Sequence, residues 1–270
     1  MPNVNSAFIG SVPENYDRYL GPAFFAPYAN DIAGRVSKRD GIAVLETAAG
    51  TGIVTHILRK ILPAGGKLVA TDLNEAMVTF ARQKLGSEAA VEWKVADAMA
   101  LPFEDEFFDA VVCQFGLMFV PEKDVAAREA HRVLKLGGKF VFNVWDGLEK
   151  NDFSRVAHQT IMSFFEKDPP RFFADYPYGF HDETKIRQFL ERAEFQDIKM
   201  TPIELASVSE TALDAARGLV QGTPVMMAVK ERDATQIQPL TDAVAAALER
   251  ECGGKPCRGK MRALVWEATR

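Results

Sequence analysis

The sequence predicts an α/β fold: a doubly wound, mostly parallel seven-stranded sheet with helices on both faces. An N-terminal helical lid precedes it, and an aromatic-rich helical segment is inserted after the fifth strand. Three observations lead there. Between residues 42 and 145, short apolar runs of strand length alternate with longer amphipathic runs. The first strand empties into a small-residue turn, "ETAAGTG", that opens a helix. The second strand closes on Asp72, twenty residues after Gly52 (72 − 52 = 20).

Each element has its own signal. "IAVLE" (42–46) reads as a buried strand and "GIVTHILRKIL" as a helix, followed by "KLVATD" (67–72) as a strand and "NEAMVTFARQKL" as a helix capped by Asn74. "AVEWKVAD" is a third strand, "FFDAVVCQF" (107–115) a fourth, "DVAAREAHRVL" (124–134) a helix and "GKFVFNVW" (138–145) a fifth strand. Crossovers of this length make the strands pair in parallel. Upstream, residues 14–37 combine helical spacing with Pro22 and Pro27, which predicts two short helices or a broken one. Two Gly-Gly-Lys turns, "PAGGKLV" and "KLGGKFV", lack the P-loop spacing and read as helix stops.

Beyond Trp145 the alternation loosens into an aromatic- and proline-rich stretch. A helix capped by Asp182 follows, then a strand over 197–207, helices over 209–220 and 234–252, and a last strand over 260–269. No linker divides the chain, so the expected organisation is one domain: a lid over residues 1–40, and a body over 41–270 with insertions at 146–182 and 208–256.

Composition narrows the function. With 47% hydrophobic and 26% charged residues the chain is an ordinary globular protein. A formal net charge of −5 and the lack of any Lys/Arg run give no footprint for nucleic acid. The N-terminus lacks a signal-peptide pattern, and no apolar run reaches the ~18 residues needed to span a bilayer. A cytoplasmic protein without membrane insertion is expected. Three cysteines, an odd number, argue against a disulfide framework. Cys252 and Cys257 in "CGGKPC" are too widely spaced and too isolated for a zinc site, so no metal is expected.

In a doubly wound sheet the ligand sits beyond the carboxyl ends of the strands, where the strand order reverses. Gly50 and Gly52 let backbone approach a ligand there, and the free N–H groups opening the next helix favour an anionic group. Asp72 is placed to accept from ribose hydroxyls. Asp97, just past the third strand, is placed to accept from an adenine amino group, with Ala98 offering a backbone N–H. A nicotinamide dinucleotide and S-adenosylmethionine both fit this much. The dinucleotide fingerprint needs Gly or Ala three residues after Gly52, and Thr55 stands there.

"VLETAAGTG", "VATDLNEAM", "ADAMALPFEDEFFDAVVCQFGLMFV" and "REAHRVLKLGGKFVFNVW" together cover most of residues 42–145. In these stretches the chain resembles the class I S-adenosylmethionine-dependent methyltransferases, in the small-molecule branch that includes ubiquinone/menaquinone-type enzymes. The resemblance implies S-adenosylmethionine as cofactor and S-adenosylhomocysteine as product. It matches Glu46 to the acid closing the first strand, and Ala48, Gly50 and Gly52 to the loop around the methionine moiety. Asp72 matches the ribose ligand, Leu73 and Met77 the adenine packing, and Asp97 and Ala98 the adenine-edge contacts. Gln114 and Phe115 match the backbone that meets the methionine amino group. Members of the family commonly show Gly-Cys-Gly where Ala48-Ala49-Gly50 stands. The resemblance also implies a lid whose Tyr16 or Tyr19 bonds the methionine carboxylate.

The expected reaction is in-line transfer of a methyl group to O, N or C of a small molecule. A dedicated base is optional, and no catalytic residue is assigned. His56 and His131 lie in core helices, and His181 reads as a helix entry. His158 lies in the aromatic insertion, within reach of a substrate. Phe164, Phe165, Phe172, Phe173, Tyr176 and Tyr178 are enough to wall an apolar pocket, although the same rings could pack on one another or form a dimer contact. The expected partner is a small-molecule methyl acceptor, and the chain a monomer or homodimer. The alternatives are an NAD(P)-dependent oxidoreductase and a non-catalytic cofactor-binding scaffold.

Overall fold

In the computed structural model, residues 12–86, 90–165 and 167–270 are described. The polar start of the expected lid, up to residue 11, lies outside them. The chain runs through α1 (Val12–Asn15), a π-helical stretch (Tyr16–Phe25), α2 (Ala26–Gly34), β1 (Ala43–Glu46), α3 (Ile53–Ile61), β2 (Lys67–Asp72), α4 (Glu75–Leu85), β3 (Glu92–Val95) and β4 (Phe108–Gln114). It continues through α5 (Lys123–Val133), β5 (Leu134–Trp145), α6 (Asp152–Phe164), α7 (Phe172–Asp175), α8 (Glu183–Arg192), β6 (Gln196–Ser209), α9 (Ala212–Gln221), α10 (Val225–Asp233), α11 (Ile237–Cys252) and β7 (Cys257–Thr269). The strands form one seven-stranded sheet in the order β3-β2-β1-β4-β5-β7-β6.

Contacts group the chain into two units. The first, a sheet unit, comprises Tyr28–Val144, Phe180–Ile203 and Ala263–Arg270. Its β1–β2, β1–β4, β2–β3 and β4–β5 pairings are all parallel. The last strand runs the other way, since Gly137 pairs with Arg270 while Asp146 pairs with Arg262. Side chains alternate between two cores, as the two-residue period of a strand requires. Leu45, Val69, Val111, Phe140 and Phe142 point to one face and meet α5 and α8 through Ala130, Ile186 and Leu190. Val44, Leu68, Ala110, Val112 and Val141 point to the other and meet α2 and α3 through Ile32, Val54 and Leu58. Strands buried on both faces explain why the sequence shows continuous apolar runs there rather than alternation.

Asn74 and Asp182 cap their helices as expected, accepting from Ala76 N–H at 2.9 Å and Lys185 N–H at 3.1 Å. The second Gly-Gly turn is not a helix stop. Helix α5 ends at Val133, and β5 begins at once with Leu134. The register passes from Phe108↔Leu134 to Ala110↔Lys139, so the glycines lie in a wide bulge of β5 that leaves Leu136 85% exposed.

The second, helical unit comprises the chain to Pro27, Trp145–Gly179 and Glu204–Arg262. Here α11 packs on α9 and α6, and α9 packs on the π-helical stretch. A Cβ at Gly218 of α9 would come within 2.7 Å of Leu20 and 2.9 Å of Tyr19. The N-terminal segment does not break at its prolines. Pro22 has no N–H to give a helical ladder, and the run continues with π spacing, Ala26 N–H donating to Gly21 five residues back. Pro27 follows directly in the first turn of α2 and likewise gives no N–H to the continuing run.

The connection entering β4 is gathered chiefly by one side chain, with Glu129 also accepting from Leu101 N–H at 2.8 Å. Arg132 of α5 donates to the carbonyls of Phe103 (2.8 Å) and Leu101 (2.9 Å) and to the carboxylates of Asp105 (2.7 Å) and Glu129 (2.7 Å). Arg132→Met is expected to lower stability by about 1.5–3 kcal/mol, the range for hydrogen bonds to a charged group. Urea unfolding measures it; a loss below about 0.5 kcal/mol, the level of an ordinary surface change, would show the connection to be held by its own packing.

Candidate functional site

Among the parallel strands the order reverses between β1 and β4, and both end in left-handed residues that are not glycine: Ala48 (φ 53°) and Phe115 (φ 51°). Such a conformation costs a residue with a Cβ about 1 kcal/mol or more, so it persists only where surroundings impose it. For Phe115 the imposing group is Asn143 of β5, fully buried, whose Oδ1 accepts from Phe115 N–H at 2.9 Å. The Phe115 ring meets Tyr28 edge-on at 5.4 Å. Gln114, the last residue of β4, is partly buried.

At Ala48 the methyl group takes space that a missing side chain leaves free. A Cβ on Gly116 would lie 2.3 Å from the Ala48 Cβ, far inside contact distance, and 3.0 Å from Cys113 Sγ. Glycine at 116 therefore makes room for alanine at 48.

The rest of the loop hangs on the ends of β1 and β2. Ala49 N–H donates to the Thr71 carbonyl at 2.9 Å, and Gly50 N–H to Asp72 Oδ2 at 2.8 Å. Asp72 Oδ1 accepts from Asn74 N–H at 2.8 Å, fixing the entry to α4. A Cβ at Gly50 (φ 55°) would meet nothing within 4 Å, so its backbone faces open space. Gly52 (φ 77°) does something else: a Cβ there would come within 3.1–3.2 Å of Leu85, Ala81 and Trp93, so its bareness serves packing against α4 and β3. Thr51 between them is 1% exposed, and its hydroxyl has no hydrogen-bond partner among the described residues.

Glu46, 2% exposed at the end of β1, accepts from the Thr55 hydroxyl at 2.6 Å. Burial pushes its carboxyl up to about 8 and the nearby charge of Asp72 adds to this, against the Thr55 hydrogen bond. Burial also raises Asp72, against the N–H groups it accepts from. Neither carboxylate has an ion-pair partner among the described residues. Thr55, which departs from the dinucleotide fingerprint, is thus the donor that holds Glu46. Its position nine residues after an acid was the available signal. Gly116 and Asn143 left none, because each works through a contact between strands.

Leu73 is 41% exposed beside Asp72, and Met77 is buried on the first turns of α4. Ala96 N–H donates to the Asp72 carbonyl at 3.0 Å, and Asp97 Oδ1 accepts from Met99 N–H at 2.8 Å, which orders the turn carrying Ala98. The sheet unit so brings together Glu46, Ala48, Gly50, Gly52, Asp72, Leu73, Met77, Asp97, Ala98, Gln114 and Phe115 at the carboxyl ends of β1–β4.

Tyr16 and Tyr19 belong to the helical unit, on its π-helical stretch. Tyr16 stacks on Phe25 with centroids 4.7 Å apart, and Arg18 lies over the Tyr19 ring. In the same unit Phe173 and Tyr178 are buried, Tyr178 donating to Ser154 Oγ at 2.6 Å, while Phe164, Phe165, Phe172 and Tyr176 stay partly exposed. His158 on α6 has a buried Nδ1 without a hydrogen-bond partner among the described residues, and burial lowers its pKa. His131 packs edge-on against Phe195, and His56 and His181 are exposed. No helix among the described residues is long and apolar enough to cross a membrane.

A methyltransferase-domain family profile matches residues 45–142, a span that runs from within β1 to within β5 and holds Glu46, Ala48, Gly50, Gly52, Asp72, Leu73, Met77, Asp97, Ala98, Gln114 and Phe115. With the observed strand order, this segment belongs to the class I S-adenosylmethionine-dependent methyltransferases. The ubiquinone/menaquinone biosynthesis C-methyltransferase UbiE of Escherichia coli is 42% identical over 106 residues, 38% of this chain and 42% of that protein. The chain therefore spans about two fifths of the length of the curated relatives it matches.

Solved structures resemble nearly the whole chain. Phosphoethanolamine N-methyltransferase 2 of Haemonchus contortus, solved with S-adenosylhomocysteine and with S-adenosyl-L-methionine, superposes with a TM-score of 0.61 at 16% identity, over 96% of this chain and 56% of that one. The cyclase SpnF superposes with a TM-score of 0.58 at 17% identity, over 90% and 81%. At such identities these likenesses show the fold.

Two outcomes follow from the geometry. Gly116→Ala is expected to destabilise by about 1–3 kcal/mol through overpacking, and Ala48→Gly in the same chain to restore most of the loss. Thermal unfolding of the two single variants and the double variant measures the coupling, and additive losses would remove the contact from the account. The second outcome concerns pH. Glu46 holds its proton in the folded chain up to about 8 but loses it near 4.5 when unfolded, so its contribution to stability falls as pH rises between those values. Glu46→Gln is expected to remove that slope, gaining on the parent chain from about pH 5 to about pH 8 in urea titrations. Parallel pH profiles would show that Glu46 is ionised throughout.

Proposed function

We propose that the chain transfers the methyl group of S-adenosylmethionine to an O, N or C atom of a small, apolar or aromatic molecule, releasing S-adenosylhomocysteine. The observation that carries this is the pair of carboxylates at the ends of β1 and β2, Glu46 and Asp72, neither with an ion-pair partner among the described residues, beside a backbone loop that opens at Gly50. Neither acid offers a pyrophosphate a positive charge, whereas Glu46 ionises beside an ammonium group and Asp72 accepts from ribose hydroxyls. That favours a sulfonium nucleoside over a dinucleotide.

The residues fit such a group. Asp72 spends two of its roughly four acceptor positions on Gly50 and Asn74 N–H groups, leaving the others for two ribose hydroxyls. Glu46 is placed for the ammonium, whose charge favours the ionised carboxylate. The unpartnered Thr51 hydroxyl and the α3 N-terminus offer donors to the methionine carboxylate. Leu73 and Met77 supply an apolar platform for adenine, and Asp97 with Ala98 reads its edge. Ala48, Gly52, Gln114 and Phe115 shape the backbone around the methionine moiety. Tyr16 and Tyr19 are the lid residues of this reading, with 1–40 as a lid and 146–182 and 208–256 as substrate-side insertions.

The cofactor supplies an activated methyl group with a good leaving group, and the chain's part is to bind, align and exclude water. The partly exposed rings of Phe164, Phe165, Phe172 and Tyr176 support an apolar acceptor. UbiE is named for C-methylation and the Haemonchus enzyme for N-methylation, and these names leave the acceptor atom open here.

Calorimetric titration with S-adenosylmethionine, S-adenosylhomocysteine and NAD tests the reading. Saturable binding of the sulfonium compound and its product is expected, with Asp72→Ala weakening both by about 1.5–3 kcal/mol, or roughly 10- to 150-fold. Binding of NAD alone would sink the proposal.

A further inference from the structure

The amino ends of β1, β4 and β5 lie at the edge of the sheet unit opposite to Gly50 and Asp72, and a cavity of about 300 Å³ opens there beside the bulge of β5. Buried Ile42, Ala110 and Val141 form its apolar floor. Arg39, Lys135 and Lys139 stand around it, and among the described residues Asp109 is the only acid in its lining. Asp109, with a side chain 6% exposed, serves as an anchor: it accepts from Ala43 N–H at 2.8 Å, pairs with Lys135 Nζ at 3.0 Å and pairs with Arg39. Lys139 is exposed and has no ion-pair partner among the described residues. Arg35, also in the wall, is occupied by Asp31 at 2.8 Å and Glu267 at 2.6 Å, neither of them in the lining. Three cations against one carboxylate leave an excess of two positive charges at the cavity, in a chain whose formal net charge is −5.

The backbone that carries the two lysines is fixed. Gly137 N–H donates to the Arg270 carbonyl and Arg270 N–H to the Gly138 carbonyl, both at 2.9 Å. A Cβ at Gly138 would come within 2.8 Å of the Lys135 carbonyl oxygen, so the bulge closes tightly on itself. It holds Leu136, 85% exposed, at the rim of the cavity. A large apolar side chain kept in water by ordered backbone gains when a ligand covers it.

We propose that this cavity binds a phosphomonoester carried on a small apolar body, at a site separate from the loop after β1. A phosphomonoester carries a charge of about −1.5 to −2 near pH 7, which matches the excess at the cavity. The Arg39 guanidinium and the two ammonium groups supply charged donors to its oxygens. Ile42, Ala110, Val141 and Leu136 take the apolar body. Inorganic phosphate meets only the cations and leaves Leu136 in water, whereas a neutral ring meets only the floor. The full set of contacts needs both parts in one ligand.

The test is calorimetric titration of the full chain in low-salt buffer with phenyl phosphate, inorganic phosphate and phenol. Phenyl phosphate is expected to saturate one site about ten-fold more tightly than inorganic phosphate, with no saturable binding of phenol. Lys139→Glu is expected to weaken phenyl phosphate about ten-fold or more, and Leu136→Ser to erase most of the difference between the two phosphates. Both positions are exposed, so thermal unfolding of each variant without ligand should match that of the parent. Asp72→Ala should leave phenyl phosphate binding unchanged, which separates this site from the loop after β1. Phenyl phosphate that fails to saturate, that binds Lys139→Glu as well as the parent, or that is lost in Asp72→Ala would overturn the proposal. Inorganic phosphate binding as tightly as phenyl phosphate would overturn it too, by removing the apolar body from the ligand.

Discussion

The carboxylate of Asp72 is the joint on which the site depends. One oxygen holds the Gly50 N–H of the loop after β1, the other holds the Asn74 N–H that starts α4, and its own carbonyl receives Ala96 at the end of β3. Three strand ends are thus tied to a single residue. An acid partly withdrawn from water and holding backbone donors keeps the loop in place before any ligand arrives, which is the preorganisation that alignment-driven reactions require.

Glu46 complements it. It is held by the Thr55 hydroxyl, and in the folded chain it keeps its proton up to about pH 8. A neutral acid beside a charged one is a lower-energy resting state than two charges, and it becomes an anion only when a cation makes that favourable. The site therefore holds electrostatic capacity that nothing else in the described residues uses.

Much of this was legible in the sequence. The seven strands, the crossover helices and the caps at Asn74 and Asp182 follow from periodicity and capping chemistry, and Asp72, Gly50 and Asp97 from their places after strands. Thr55 reads in the sequence only as an absent Gly or Ala, because an acid nine residues earlier is too weak a signal for a hydroxyl-to-carboxylate bond across a turn. The Gly-Gly pair before Lys139 looked like a helix stop because glycine serves helix ends and strand bulges alike, and only the β4–β5 register separates the two. Pro22 looked like a break because its missing donor excludes an ordinary helical bond, whereas the chain absorbs the loss by lengthening the repeat.

The fit between Ala48 and Gly116 also limits which residues can stand together here. Methyl groups at both positions would meet at 2.3 Å on this backbone, so alanine at 48 goes with glycine at 116 unless the loop shifts. Substitution in this loop is contingent on a residue 68 positions away (116 − 48 = 68), so an unfamiliar motif at the loop is a sign of its neighbour's identity rather than of a weakened site.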